Sequence, residues 1–458
     1  MIIRDTVQDV KEWAAQQWEA AQLKDKRRTA RAVIVGAQLA AQPAASLPEQ
    51  TGSWKDLKAA YRLFNEPDVT RAALSRPHRE ATLKQARLSD GVVLFLQDGT
   101  ELDFTHHPQV TGLGRLNTEK RHGLLVHSCL AWSETSGELG LAAQQVWRRP
   151  PKPKPRSKSK RESSWRDTEC DVWARALQEL GPAPARQSGV TWISLGDRAS
   201  DIYGYFRQAE ALGWEVVARA AHDRMIETLT GQRAYLMQWA RQLPGQATKE
   251  VRLRGRDGLP ARTANLEIAW AQCQMPAPRD GKERGGPSLR VSVVRAWEVG
   301  APAGVEPLEW VLVTTLVVGD AQSALQVLEY YETRWIIEEY HKCLKTGCAM
   351  EARQLETADG LEAVLGFLSI IAVRLLQLRE ASRQQPEAPA RHLIAPELLT
   401  TLQSYLKLPP GDLTMREFWR AVARLGGFLG RKSDGNPGWQ TIWRGWQKLQ
   451  DLAWQPSP

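Results

Sequence analysis

Tyr331, Arg334, Glu338 and Lys345 stand at i, i+3, i+7 and i+14 in the segment Tyr331-Glu332-Thr333-Arg334-Trp335-Ile336-Ile337-Glu338-Glu339-Tyr340-His341-Lys342-Cys343-Leu344-Lys345. At about 100° per residue, a single α-helix brings all four within roughly 60° of one another. One helical face then carries an aromatic hydroxyl, a guanidinium, a carboxylate and an ammonium. Alone, such a face is most simply a solvated one. Two aspartates upstream change its meaning. Val92-Val93-Leu94-Phe95-Leu96 is a short apolar run followed by Gln97-Asp98-Gly99, which predicts a strand buried on both faces that ends in a turn. Val190-Thr191-Trp192-Ile193-Ser194-Leu195 runs likewise into Gly196-Asp197-Arg198, with Ser200 or Asp201 placed to cap a helix starting at Ile202. An Asp just past a strand is often only a turn former. Two of them followed by a helical Glu make three carboxylates that a central sheet can gather.

Three hard oxygen ligands, with no His or Cys among them, suit magnesium or manganese. Two such ions about 4 Å apart stabilise the attacking and leaving oxygens of a phosphodiester displacement. The Arg and Lys on the Glu338 face would hold the scissile and neighbouring phosphates. The chemistry these residues point to is phosphoryl transfer on a nucleic acid.

These residues resemble the signature of the bacterial DDE transposases of the insertion-sequence-four family, those of the transposon-five type in particular. That signature is Tyr, two residues, Arg, three residues, Glu, six residues, Lys, and it falls on Tyr331, Arg334, Glu338 and Lys345. The first catalytic Asp matches Asp98; the second matches Asp197, in an Asp-Arg-x-x-Asp context completed by Arg198 and Asp201. The likeness extends to Asp25-Lys26-Arg27-Arg28-Thr29-Ala30-Arg31, to Val126-His127-Ser128 and to Ala423-Arg424-Leu425-Gly426-Gly427-Phe428. It implies Asp98, Asp197 and Glu338 as catalytic metal ligands for two Mg2+ or Mn2+ ions. It implies DNA contacts from Tyr331, Arg334, Lys342, Lys345 and Arg219. It also implies a tryptophan that stacks on a base flipped from the transposon end, and Trp310, 21 residues before Tyr331, has the right spacing. Its bland alternative is a cross-strand core Trp, one of 19 in the chain.

The elements that must position these residues are legible in outline. The expected fold is α/β: a ribonuclease-H-like catalytic core with an inserted antiparallel β-sheet, flanked by helical N- and C-terminal domains. Residues 1–70 form a helical end-binding domain in which Arg27, Arg28 and Arg31 share one side of a helix. They face either DNA, as the resemblance implies, or solvent. Residues 71–375 form the catalytic domain, with strands at 92–97, 124–132, 138–147, 190–196 and 214–220 and a helix near 167–180. Alternating segments within about 221–318 form the inserted sheet. Residues 376–458 are helical and assigned to dimerisation by the resemblance. There Trp439, Trp443, Trp446, Leu449 and Ala453 form a stripe that belongs either to the core or to a partner subunit.

Composition agrees with a polyanionic partner. Net charge is +9, and the pI is near 9.3. The excess is concentrated between Arg148 and Arg166, where nine cations face the single acid Glu162. Alternating Pro, Lys and Ser at 152–160 predict an extended loop, either an arm on DNA or a plain surface insertion. Cys129, Cys170, Cys273, Cys343 and Cys348 form no CxxC pair, and an odd count argues against a disulfide framework. The expected setting is the reducing bacterial cytoplasm, on the nucleoid when DNA is bound. No membrane partner is expected, because the most apolar helix, around Leu361–Leu378, is interrupted by Glu362 and Arg374. The expected function is cut-and-paste transposition by a homodimer on double-stranded transposon ends and target DNA. The rival from another class is a catalytically silent DNA-binding regulator of transposition.

Overall fold

A computed structural model describes residues 10–118, 120–135, 137–150, 169–253, 262–280, 283–381, 386–392, 394–409, 411–431 and 434–453. Most of the basic segment, 151–168, lies outside them. Its first two cations do not. Arg148 is bound to Glu362 at 2.5 Å and to Asp359, and Arg149 is bound to Glu169 at 2.5 Å. These two arginines are ion-paired within the fold rather than part of an open arm.

The chain begins with helices α1 (Val10–Trp18), α2 (Lys26–Ala41), α3 (Leu47–Thr51) and α4 (Trp54–Phe64), followed by the longer α5 (Arg71–Leu88). Three of these helices start at a side-chain cap: Asp25 accepts from Arg27 N, Ser53 from Asp56 N, and Thr70 from Ala73 N. Each cap satisfies an amide that the first helical turn leaves orphaned.

Next come β1 (Gly91–Asp103), β2 (Gly114–Arg115), β3 (His122–Ser133) and β4 (Gly137–Trp147), then α6 (Val172–Leu180), β5 (Val190–Gly196), α7 (Tyr203–Ala211) and β6 (Glu215–Arg219). Strand β3 lies between β4 and β1, pairing antiparallel with both. Strands β5 and β6 extend the sheet in parallel from β1. The order β4-β3-β1-β5-β6, three antiparallel strands and then two parallel ones, is that of a ribonuclease-H-like core.

The insertion is not a separate sheet. It comprises β7 (Met225–Thr228), β8 (Arg233–Tyr235), α8 (Leu236–Gln242), β9 (Ala247–Leu253), β10 (Arg262–Met275), β11 (Leu289–Val299) and β12 (Glu309–Thr314). Strand β12 pairs with β6 through Leu312↔Arg219, Val313↔Ala218 and Thr314↔Val217. The inserted strands therefore continue the core sheet, and the twelve strands of the described residues form one sheet.

The Tyr331–Lys345 segment is also not one straight helix. Helix α9 (Ala321–Thr333) ends one residue before α10 (Trp335–Lys342), and Arg334 sits at the junction. There Arg334 N bonds to Tyr331 O at 3.1 Å and Ile337 N to Arg334 O at 3.1 Å, a tighter i→i+3 pattern than an α-helix makes. A π-helical turn, Cys343–Gly347, follows and is closed by Cys348 N to Cys343 O at 2.8 Å. The even spacing assumed from sequence thus fails at both ends, and Lys345 lies in the π turn.

Helix α11 (Ala358–Ala381) is the hub of the molecule. From Leu361 to Leu376 almost every apolar side chain is buried. Phe367 meets Trp18 of α1 with ring centroids 5.1 Å apart, and the Arg374 guanidinium lies 4.6 Å from the Trp13 ring. Among the described residues no helix is long and apolar enough to cross a membrane. The chain closes with α12 (Pro396–Leu406), α13 (Met415–Leu425) and α14 (Trp439–Ala453). In α14, Trp443, Trp446 and Leu449 are buried within this chain, with Trp446 5.4 Å from Trp419. These three members of the stripe are therefore core rather than a partner surface. Gly426 and Gly445 let α13 and α14 touch backbone to backbone, since a Cβ at either would enter the other helix's carbonyl oxygens. That contact gives the 423–428 motif a packing role.

Candidate active site

Register brings the two aspartates together. Strands β1 and β5 pair in parallel up to Leu96↔Leu195, so Asp98 and Asp197 lie at the same level two residues farther on. Neighbouring strands lie about 4.8 Å apart, and side chains of equal parity share a face. Leu94, Leu96, Ile193 and Leu195 pack into one core cluster, while Phe95 and Trp192 pack into the cluster on the opposite side. Asp98 and Asp197 therefore emerge on the former face, which α10 covers. Asp98 is not at the end of its strand, as its Asp-Gly sequence suggested. Strand β1 continues to Asp103 because β3 pairs with it throughout, placing Ser128 opposite Asp98. Only the β5 side ends early, and the carboxylate stands in that opening.

Helix α10 delivers the third carboxylate. Ile336, Ile337 and Tyr340 are buried against the core, and Glu338 remains half-exposed. Tyr340 is held from behind: Gln144 Nε2 donates to its hydroxyl at 3.4 Å and to Ser128 Oγ at 3.2 Å, while Ser369 donates to Gln144 Oε1 at 3.0 Å. The two central motif residues, His127 and Ser128, thus act on both faces of β1. His127 pairs with Gln97 Oε1 at 2.8 Å, and Gln97 donates to Ser194 Oγ at 2.8 Å. This buried chain ties β3, β1 and β5 together one residue before Asp98. Gln97 and Ser194 belong to none of the sequence motifs, although strand alternation adjacent to Asp98 is a signal that points to them.

Arg334 joins two of the carboxylates. Its Nη1 lies 3.4 Å from Asp98 Oδ2, and its Nη2 lies 2.5 Å from Glu338 Oε1. Even so, burial pushes the Asp98 carboxyl up to about 6, with Arg334 opposing and the nearby Asp197 and Glu338 charges adding to the rise. Asp197 uses one oxygen to accept Ala199 N at 2.9 Å. It caps the short turn Arg198–Ser200 itself, and the next helix starts after Ile202 without a side-chain cap from Ser200 or Asp201. Asp201 is instead a buried clamp, accepting Ala221 N at 2.8 Å and His222 N at 3.1 Å and pairing with Arg224.

The remaining sites predicted from sequence divide into two groups. Tyr331, Trp310 and Arg334 are gathered: the Trp310 and Tyr331 rings meet edge to face at 5.8 Å, and the guanidinium lies 5.8 Å from the Tyr331 ring. Arg219 ends β6 and donates to Glu309 O at 3.0 Å, next to Trp310. The others are held elsewhere. Lys345 pairs with Glu351 at 3.2 Å, and Lys342 with Glu339 at 2.7 Å. In the N-terminal helices, Arg28 is bound by Glu66 and Asp68, and Arg31 by Asp56. Both face the fold's own acids rather than open solvent. Arg27 pairs only locally with Asp25, and its side chain is 92% exposed.

The raised Asp98 carboxyl has a measurable consequence. Between its ordinary value of 3.8 and about 6, the folded protein binds a proton that the unfolded chain does not, so stability falls as pH rises through that window. Asp98→Asn removes the ionised form. In chelator at pH 7.5 it should stabilise the fold by on the order of 2–3 kcal/mol. The gain should vanish below about pH 4, where wild-type Asp98 is protonated in both states. Thermal melting across pH checks this; a gain that does not change with pH would rule out the ionised carboxylate as its source.

By type the donors suit a hard divalent cation, being carboxylate oxygens only, with Asp98 held above its usual ionisation range by burial and by two like charges against the opposing Arg334. As they stand, no three acidic, His or Cys side chains among the described residues are gathered closely enough to hold an ion. Three family models match the chain in order. A transposase DNA-binding model covers residues 10–69, a transposase DDE domain model covers 169–374, and a Tn5 transposase dimerisation model covers 370–453. The DDE match includes Asp197, Tyr331, Arg334, Glu338 and Lys345 but begins after Asp98. The β1–β5 register sets Asp98 beside Asp197.

Proposed function

This chain belongs to the DDE transposases of the Tn5 type, metal-dependent enzymes that cut and join DNA, and from that premise we propose a cut-and-paste reaction centred on Asp98, Asp197 and Glu338. The single observation that carries this assignment of residues is the parallel register that sets Asp98 beside Asp197, with Arg334 linking Asp98 to Glu338. The three carboxylates would hold one or two Mg2+ or Mn2+ ions, which supply charge stabilisation for the attacking and leaving oxygens.

Around them the protein handles DNA. The Arg334 guanidinium presents a planar fork suited to a phosphate. Tyr331 and Trp310 offer aromatic surface beside it, where a nucleotide leaving the stack is received. In the proposed sequence, water first nicks one strand and releases a 3′ hydroxyl. That hydroxyl attacks the opposite strand and closes a hairpin on the transposon end. Water then opens the hairpin, and the 3′ ends join target DNA. A dimer formed through the C-terminal region would hold two ends at once. Lys342 and Lys345 reach phosphates only after exchanging their present partners, Glu339 and Glu351.

The test uses duplexes made from the DNA flanking the gene, searched for a matched pair of inverted repeats. Mg2+ or Mn2+ should give nicked and then double-strand-cut ends. Binding without cleavage in either metal would favour the regulator. Measuring the same binding across salt tests the basic segment. If the cations from Lys152 to Arg166 lie on phosphates, neutralising four of them should flatten log K against log salt by about 0.9 per lost contact. An unchanged slope would make the segment a solvated insertion.

A further inference from the structure

We propose that Arg334 occupies the place of a divalent cation in the DNA-free protein, so that metal enters only when DNA withdraws the guanidinium. This rests on the reading of Asp98 and Glu338 as metal ligands. The geometry is specific. One guanidinium reaches Asp98 Oδ2 at 3.4 Å with Nη1 and Glu338 Oε1 at 2.5 Å with Nη2, and its side chain is only 14% exposed. Among the described residues, no three acidic, His or Cys side chains are gathered closely enough to hold an ion. The guanidinium satisfies the oxygens that an ion would use. A cation added beside it would place like charges together in a poorly solvated site, where their repulsion is weakly screened.

The exchange has a mechanical basis. Arg334 lies at the junction of α9 and α10, where the α-helical hydrogen-bond pattern is broken. A DNA phosphate matches the fork of a guanidinium at least as well as two separate carboxylates do. Once Arg334 turns to the phosphate, Asp98 and Glu338 lose their counter-charge and become ligands. DNA thus promotes metal binding, and by linkage metal tightens DNA binding by the same factor. A protein searching the chromosome would then carry no loaded catalytic site away from a bound end.

Mn2+ binding to the full-length protein tests this directly, by electron paramagnetic resonance of free Mn2+, with and without inverted-repeat duplex. Without DNA, Arg334→Gln should bind Mn2+ about tenfold more tightly than wild type. Adding the duplex should tighten wild type more than the variant. Arg334→Lys keeps the charge but cannot fork across two carboxylates. It should show a smaller tightening, and it serves if glutamine disrupts the helix junction. Neither variant binding Mn2+ more tightly than wild type, with melting temperatures unchanged, would overturn the proposal. Adding Asp98→Ala to Arg334→Gln should abolish the gain. If Mn2+ binding there is indifferent to Asp98, the ligand assignment itself is wrong, an outcome distinct from failure of the exchange.

Discussion

Asp98→Ala, Asp197→Ala and Glu338→Ala proteins should each bind transposon-end DNA and fail to cut it. A metal ion at a phosphodiester contributes several kcal/mol of transition-state stabilisation, and each 1.4 kcal/mol is about tenfold in rate. Losing one ligand should therefore slow cleavage by roughly 10³-fold or more. Affinity comes instead from many phosphate contacts spread over the protein, so end binding should change little. The structure also supplies the control. Glu339 is adjacent to Glu338, but its carboxylate is bound to Lys342 at 2.7 Å on another side of α10. Glu339→Ala should cut normally. Gels of labelled end DNA, run beside gel-shift titrations, separate cutting from binding. If Glu339→Ala is inert and Glu338→Ala cuts, the helical register is misassigned.

What the sequence made legible follows from the range of the interactions involved. Apolar runs that end in Asp are local signals, and the strands around 92–97 and 190–196 lie where they were expected. The helix near 167–180 is likewise present as Val172–Leu180. Long-range pairing was not legible. The union of the inserted strands with the core depends on Val313 meeting Ala218, and nothing near either residue announces it. Charge partners were equally hidden. A run containing Arg27, Arg28 and Arg31 looks uniformly basic until Asp56, Glu66 and Asp68 fold against two of the three. The same holds for Arg148 and Arg149, whose acids Glu362 and Glu169 lie on other elements. The family signature was legible because it needs fixed residue types at fixed spacing. The helix junction at Arg334 and the π turn under Lys345 were not, because a spacing of 3, 7 and 14 fits an unbroken helix equally well. That difference matters at Lys345, which the π turn hands to Glu351 rather than to the Glu338 face.

Trp310→Ala should nick end DNA at a normal rate and form hairpins slowly. Trp310 sits on β12 opposite Ala296, half-buried, with its ring edge to face against Tyr331. The first nick needs a water and the carboxylate centre, and neither depends on the indole. In the proposed sequence hairpin closure is different, because the opposite strand would have to bend sharply to meet the new 3′ hydroxyl. That bend forces a nucleotide out of the stack at a cost of a few kcal/mol. An aromatic platform returns about 1–3 kcal/mol per stacked base. Removing it should slow hairpin formation by roughly 5- to 150-fold. Trp310→Phe keeps a smaller platform and should fall between. The indole also packs on Tyr331, so a general loosening of the site must be distinguished from loss of stacking. The nick provides that distinction: a loosened site slows both steps, whereas a lost platform slows only the second. Denaturing gels resolve the nicked and hairpin species within one time course. Equal rates for wild type and Trp310→Ala at both steps would make Trp310 a packing residue of the sheet and leave the flipped nucleotide to another surface.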